Sequence, residues 1–133
     1  MKYDEFVGIV QDRARLASRG EAVRAIRASL ETLGERLYGG EAEDLAAQLP
    51  QEISLYLKRA ETGHKYSLDE FINRVAQKEK VDKPDALFHI RAVMSVLIEA
   101  VTPAEMLDVL AQLPEEYSKL VESGSEGKID LAD

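Results

Sequence analysis

Apolar residues recur at three- and four-residue intervals along most of the chain and nowhere alternate cleanly with period two. Val23, Ile26, Leu30, Leu33 and Leu37 form one such stripe, and Leu87, Ile90, Met94, Leu97 and Val101 repeat it position for position. This spacing puts each set on one face of a 3.6-residue helix, so the pattern predicts an all-α fold. It places helices at 3–17, 20–37, 41–48, 50–60, 68–80, 84–100, 103–112 and 114–122. The polar punctuation agrees. Ser18-Arg19-Gly20-Glu21, Ser67-Leu68-Asp69-Glu70 and Thr102-Pro103-Ala104-Glu105 each set a hydroxyl three residues before a glutamate, the capping-box arrangement. Tyr66 with Phe71, and Val101 with Met106, flank two of these caps where an apolar staple would sit. Gly39-Gly40 is expected to end the second helix, and Pro50, Pro103 and Pro114 to open the fourth, seventh and eighth.

The pattern is written twice. Asp4, Glu5, Phe6 and Val10 return 65 positions later as Asp69, Glu70, Phe71 and Val75, and after a one-residue slip the offset is 64. Over Glu21–Leu57 that offset gives 14 identities in 37 positions, against roughly 3 expected by chance. The strongest block, Ala47-Gln48-Leu49-Pro50 with Glu52 and Ser54, returns as Ala111-Gln112-Leu113-Pro114 with Glu116 and Ser118. The expected architecture is therefore a compact bundle of about eight helices built from two tandem four-helix repeats, 3–60 and 67–122. They form a single domain over 1–123, joined through Glu61–Tyr66, with 124–133 a disordered acidic tail.

The halves differ most in their long helices. Ser29, Thr32, Arg24 and Arg36 in the first correspond to Val93, Val96, Phe88 and Ala100 in the second. A helix apolar over so much of its circumference needs cover on several sides, which puts the sixth helix at the centre of the bundle. A homodimer through that same surface is the competing expectation, so the chain is a monomer or a homodimer.

Composition narrows the chemistry. With 133 residues the chain is long enough to bury a core unaided, and with no cysteine it has neither a disulfide framework nor thiolate chemistry. The first residues carry acid where a secretory signal would be basic and then apolar, and no apolar run approaches a membrane span. A cytoplasmic protein with no membrane role is expected. The net charge is −8, and residues 99–133 hold nine acids against Lys119 and Lys128. That balance disfavours nucleic acid, whose phosphates call for clustered lysine and arginine.

The candidate sites are sparse. Glu61-Thr62-Gly63-His64 has the Glu-x-x-His spacing of carboxylate-bridged irons, but such sites need a second copy and two further carboxylates, and this copy falls in the link. His89 aligns with Ala25 inside the apolar sixth helix and is expected to pack there. Gly39-Gly40 lacks the lysine and hydroxyl of a phosphate loop. Lys58, Arg59, His64 and Lys65 form the one local basic cluster, expected to be a solvated link. The matched pairs Arg27/Arg91, Glu35/Glu99 and Asp44/Asp108 are expected to serve packing. No catalytic, cofactor-binding or metal-ligating residue is assigned, and no enzyme activity is expected.

With the Tyr3-Asp4-Glu5-Phe6 start, Leu33-Gly34-Glu35-Arg36-Leu37, Gly40 through Pro50, Leu68-Asp69-Glu70-Phe71 and Ala111 through Pro114 in hand, the chain resembles the family of domain of unknown function 2267 over nearly all of residues 3–121. The resemblance implies an all-helical, cytoplasmic bacterial or archaeal protein and brings no activity, cofactor or catalytic residue. Function is then expected from the residues alone. The first expectation is a non-catalytic module for interaction with another protein, or for regulation, using its helix grooves or its acidic C-terminal end. The alternative is a small-ligand binder, or an enzyme without a recognisable signature, with its site at the seam between the repeats.

Overall fold

A computed structural model gives the structure, which describes residues 1–121. Among these residues there are seven α-helices, one 3-10 helix and no strand. The α-helices are α1 (Tyr3–Arg13), α2 (Arg19–Arg36), α3 (Glu41–Ala46), α4 (Gln51–Lys58), α5 (Leu68–Glu79), α6 (Lys83–Ala100) and α7 (Pro103–Ala111). The 3-10 helix is Glu115–Leu120. The tail expected at 124–133 lies outside the described residues.

All three hydroxyl caps form. Ser18, Ser67 and Thr102 accept from the backbone N–H of Glu21, Glu70 and Glu105, and Asp82 caps α6 in the same way through Asp85. Several boundaries differ from the sequence pattern, and the first helix, expected over 3–17, ends at Arg13, after which Arg15 takes a positive φ of 54°. The second helix stops at Arg36, where Leu37 turns extended; Gly39 and Gly40, at φ 64° and 85°, make the left-handed approach to α3 instead. The eighth element winds as a 3-10 helix, and where α4 carries Ile53 it carries Tyr117. Its hydroxyl donates to the carbonyls of Tyr66 (2.8 Å) and Ser67 (3.2 Å). Phe71 meets its ring edge-on, 5.5 Å between centroids, and the Arg36 guanidinium lies over the ring while its Nε donates to the Tyr66 carbonyl. Burial pushes the Tyr117 phenol up to about 12.

α2 and α6, each of 18 residues, pack on one another, and α1 and α5 each pack on both. One apolar cluster runs through both halves, from Phe6, Ile26, Leu45 and Ile53 to Phe71, Val93, Met106 and Tyr117. Val93 and Val96 are fully buried within the chain, so no second copy is needed to cover them. The centre is shared, however. α2 is as buried as α6 although it carries polar residues: Thr32 donates to the Ala28 carbonyl and accepts from Lys78, while the Ser29 hydroxyl is buried without a partner. α4 sits close on α2 at Gly34, where a Cβ would stand 2.7 Å from that of Ala60.

Matched charges link the halves. Arg13 on α1 reaches Glu99 (2.7 Å) and Ser95 (3.0 Å) on α6, and Lys78 on α5 reaches Glu35 (3.0 Å) and Thr32 (2.9 Å) on α2. The two Ala-Gln-Leu-Pro blocks have a similar reciprocal use. Gln48 accepts from the Thr102 N–H at 2.8 Å, and Gln112 accepts from the Tyr38 N–H and donates to the Tyr38 carbonyl, both at 3.0 Å. Each glutamine thereby satisfies backbone at the approach to the other half's third helix, where α3 and α7 pack together. Gln112→Ala is expected to cost about 1 kcal/mol, measurable as a lower urea midpoint; an unchanged midpoint would mean that water replaces both bonds without loss.

Candidate ligand-binding site

The α1–α2 and α5–α6 turns are built alike. Arg15 and Lys80, one at each turn, are the two described non-glycine residues at positive φ (54° and 63°). After Arg15, the Leu16 N–H returns to the Gln11 carbonyl, and after Lys80 the Val81 N–H returns to Ala76. The turns come together so that the matched residues Leu16 and Val81 line one cavity of about 270 Å³. Glu21 and Arg24 from α2, Glu79 from α5 and His89 from α6 complete it. The cavity therefore draws on both halves of the chain.

Its floor is a buried pair. His89 Nδ1 lies 2.8 Å from Glu79 Oε2 and 3.0 Å from Oε1, with the side chains 11% and 3% exposed. A carboxylate this deep is tolerated only with a partner. The hydrogen bond to Glu79 raises the His89 pKa above its ordinary value, against the opposing effect of burial. Nδ1 is held by the carboxylate, which leaves Nε2 as the ring nitrogen that Glu79 does not engage. Nothing like it exists in the first half, where the matched positions are Ala14 and Ala25, both buried. His89 is buried in α6 and is also paired with Glu79. Its partner went unassigned because Glu79 is one acid among many. The available signal was paired: Ala14 and Ala25 are matched in sequence by an acid and a base, Glu79 and His89.

The raised pKa fixes a pH dependence. The folded state holds the His89 proton more tightly than the unfolded chain, so this stabilisation is complete below pH 6.5 and is lost as pH rises through the higher folded value. In urea titrations across that range, wild type should lose stability relative to Glu79→Gln. Parallel curves would show that the pair carries no proton linkage.

The other candidate residues fall elsewhere. Glu61 and His64 are 3.7 Å apart on the exposed link, whose backbone pairs with the end of α2 through Gly63 N–H to Leu37 and His64 N–H to Glu35. Lys58, Arg59 and Lys65 are exposed there too. A larger depression of about 630 Å³ includes Arg36, Tyr38, Lys65 and Gln112, but Arg36 is engaged by Tyr66 and Tyr117, and Gln112 by Tyr38. Of the matched charges, Glu35 and Glu99 make the links between halves described above, and Arg27 pairs with Glu31 on its own helix. Asp44 and Asp108 behave differently. They stand near Glu41 and Glu105, themselves matched, where α3 meets α7. Glu105 would close a capping box on the Thr102 N–H, but Gln48 takes that donor, and the carboxylate turns to Glu41 instead. Burial first, then Glu41, Asp44 and Asp108, push its pKa up to about 7.

The described residues form an all-helical bundle with a polar cavity where the α1–α2 and α5–α6 turns meet. The profile of the family described as "Uncharacterized conserved protein (DUF2267)" matches residues 3–120, and the chain belongs to that family. No curated protein matches the chain. No helix among the described residues is long and apolar enough to cross a membrane.

Proposed function

We propose that the protein is a non-catalytic regulatory module that binds a small carboxylate-bearing metabolite, about the size of an amino acid, in the cavity between the α1–α2 and α5–α6 turns. The observation that carries this reading is the Glu79–His89 pair on the cavity floor. It favours the protonated form of the imidazole in a cavity that Arg24 also lines, a combination suited to a carboxylate. Glu21 offers an acceptor for a ligand ammonium, and Leu16 and Val81 offer apolar walls for a short aliphatic part. The test is a thermal-shift screen of amino acids and short organic acids on the full chain. A ligand at a hundredfold excess over its Kd stabilises by about 2.7 kcal/mol, and Arg24→Ala should remove the shift. A flat screen across both classes would defeat the proposal.

A second reading, an acid–base enzyme at the same site, is favoured by the pair's geometry: a carboxylate holding Nδ1 is how proteins orient a catalytic histidine. Conversion of a bound ligand detected by NMR would decide for it. A protein partner at the acidic C-terminal end is also proposed, on the charge asymmetry alone. Its clean probe is Glu115→Lys, because Glu116 accepts from the Leu68 N–H at the start of α5 and its reversal would disturb that helix.

A further inference from the structure

We propose that the junction of α3 and α7 is a binding site for a hard divalent cation, Mg²⁺, Ca²⁺ or Mn²⁺, held by Glu41, Glu105 and Asp108. One carboxylate oxygen from each of these residues lies within 4.8 Å of the other two. Oxygens that share an ion at about 2.4 Å are at most about twice that far apart, and the three separations meet this first requirement for a single cation to be shared. The donor set contains only carboxylate, without imidazole or thiolate, which selects hard cations over zinc or copper.

The buried half of the cluster is what separates it from an ordinary acidic surface. Glu105 is 8% exposed, and its Oε2 is fully buried with no hydrogen-bond partner; the Oε2 of Glu41 is in the same condition. Two carboxylates can hydrogen-bond each other only when one carries a proton, so once both are ionised their facing oxygens have nothing to accept from. The charges acting most strongly on Glu105 are those of Glu41, Asp44 and Asp108, all negative. A buried acceptor surrounded by like charge calls for a positive centre at the point where the oxygens converge. Asp108 is exposed and leaves one side of that point open to an ion and its remaining waters.

The arrangement also explains a feature of the repeat. Glu41/Glu105 and Asp44/Asp108 hold matched positions, so the packing of α3 on α7 brings equivalent acids of the two halves face to face. An ion there would join the halves at the seam that Gln48 and Gln112 already bridge. The site shares no residue with the cavity at His89 and stands or falls separately from the function proposed for it.

The experiment is a calorimetric titration of the full chain with MnCl₂ in 100 mM KCl at pH 7.5 after treatment with chelator, with Mn²⁺ paramagnetic resonance to count bound ions. One ion per chain is expected, displaced by excess Mg²⁺ or Ca²⁺. Glu105→Gln and Asp108→Asn should each weaken binding by roughly tenfold or more, while Glu43→Gln, exposed on α3, should leave it unchanged. Glu105→Gln should also raise the melting temperature of the metal-free protein, since it removes one of the opposed charges, and a role in packing alone would not produce that pair of effects. If Glu105→Gln fails to fold, as judged by far-ultraviolet circular dichroism, the affinity of the exposed Asp108→Asn variant decides between the two outcomes. Absence of binding in wild type would overturn the proposal and leave a carboxyl pair sharing a proton. Affinity unchanged in Asp108→Asn would overturn it equally.

Discussion

His89→Ala is expected to destabilise the protein by about 3 kcal/mol at neutral pH. The loss comes less from the missing ring than from Glu79, left 3% exposed with its charge uncompensated. That carboxylate must then take up a proton or draw water into the cavity, and either costs free energy. The matched positions in the first half of the sequence supply a control. Glu79→Ala combined with His89→Ala restores what the first half carries at the matched positions, Ala14 and Ala25. The double variant should be more stable than His89→Ala alone by about 1 kcal/mol or more, since the buried charge and its partner leave together. Urea unfolding of the four proteins in the cycle measures this. Additive losses would mean that the two residues contribute only separate packing.

Tyr117→Ala is expected to cost about 3–5 kcal/mol, the range for emptying a buried aromatic site. The side chain is 1% exposed and closes the second half: its ring meets Phe71, lies beneath Arg36, and its hydroxyl serves the backbone at the start of α5. Tyr117→Phe keeps the ring and loses only the hydroxyl, at about 1 kcal/mol, and the Tyr66 carbonyl keeps its bond from Arg36. Guanidinium or urea midpoints for the two variants separate the contributions. A small loss in Tyr117→Ala would show that the 3-10 helix adds little to the core.

Much of the fold could be read from apolar spacing. Val93 and Val96 differ from Ser29 and Thr32 in hydrophobicity, and the expectation that both valines are buried follows from that difference alone. What spacing could not show is that Thr32 is buried as well, because its hydroxyl is satisfied by a carbonyl of its own helix and by a lysine 46 positions away. Gln48 and Gln112 stood out as repeated letters, yet their purpose is a contact between halves that no local pattern encodes. The site was less legible still. A glutamate and a histidine ten positions apart, on different helices, meet only because the α5–α6 turn folds them together. The carboxylates of Glu41, Glu105 and Asp108 likewise converge through packing of two short helices distant in sequence. Charged residues on helices are common, so only tertiary geometry separates these from the solvated majority.

The most direct measurement is a pH titration of the imidazole resonances in a wild-type protein labelled with ¹⁵N at histidine, repeated in Glu79→Gln. An imidazolium held by Glu79 at the floor of the cavity predicts a His89 midpoint above 6.5 in wild type that falls in the variant. A His89 midpoint at or below 6.5, unmoved by Glu79→Gln, would contradict it.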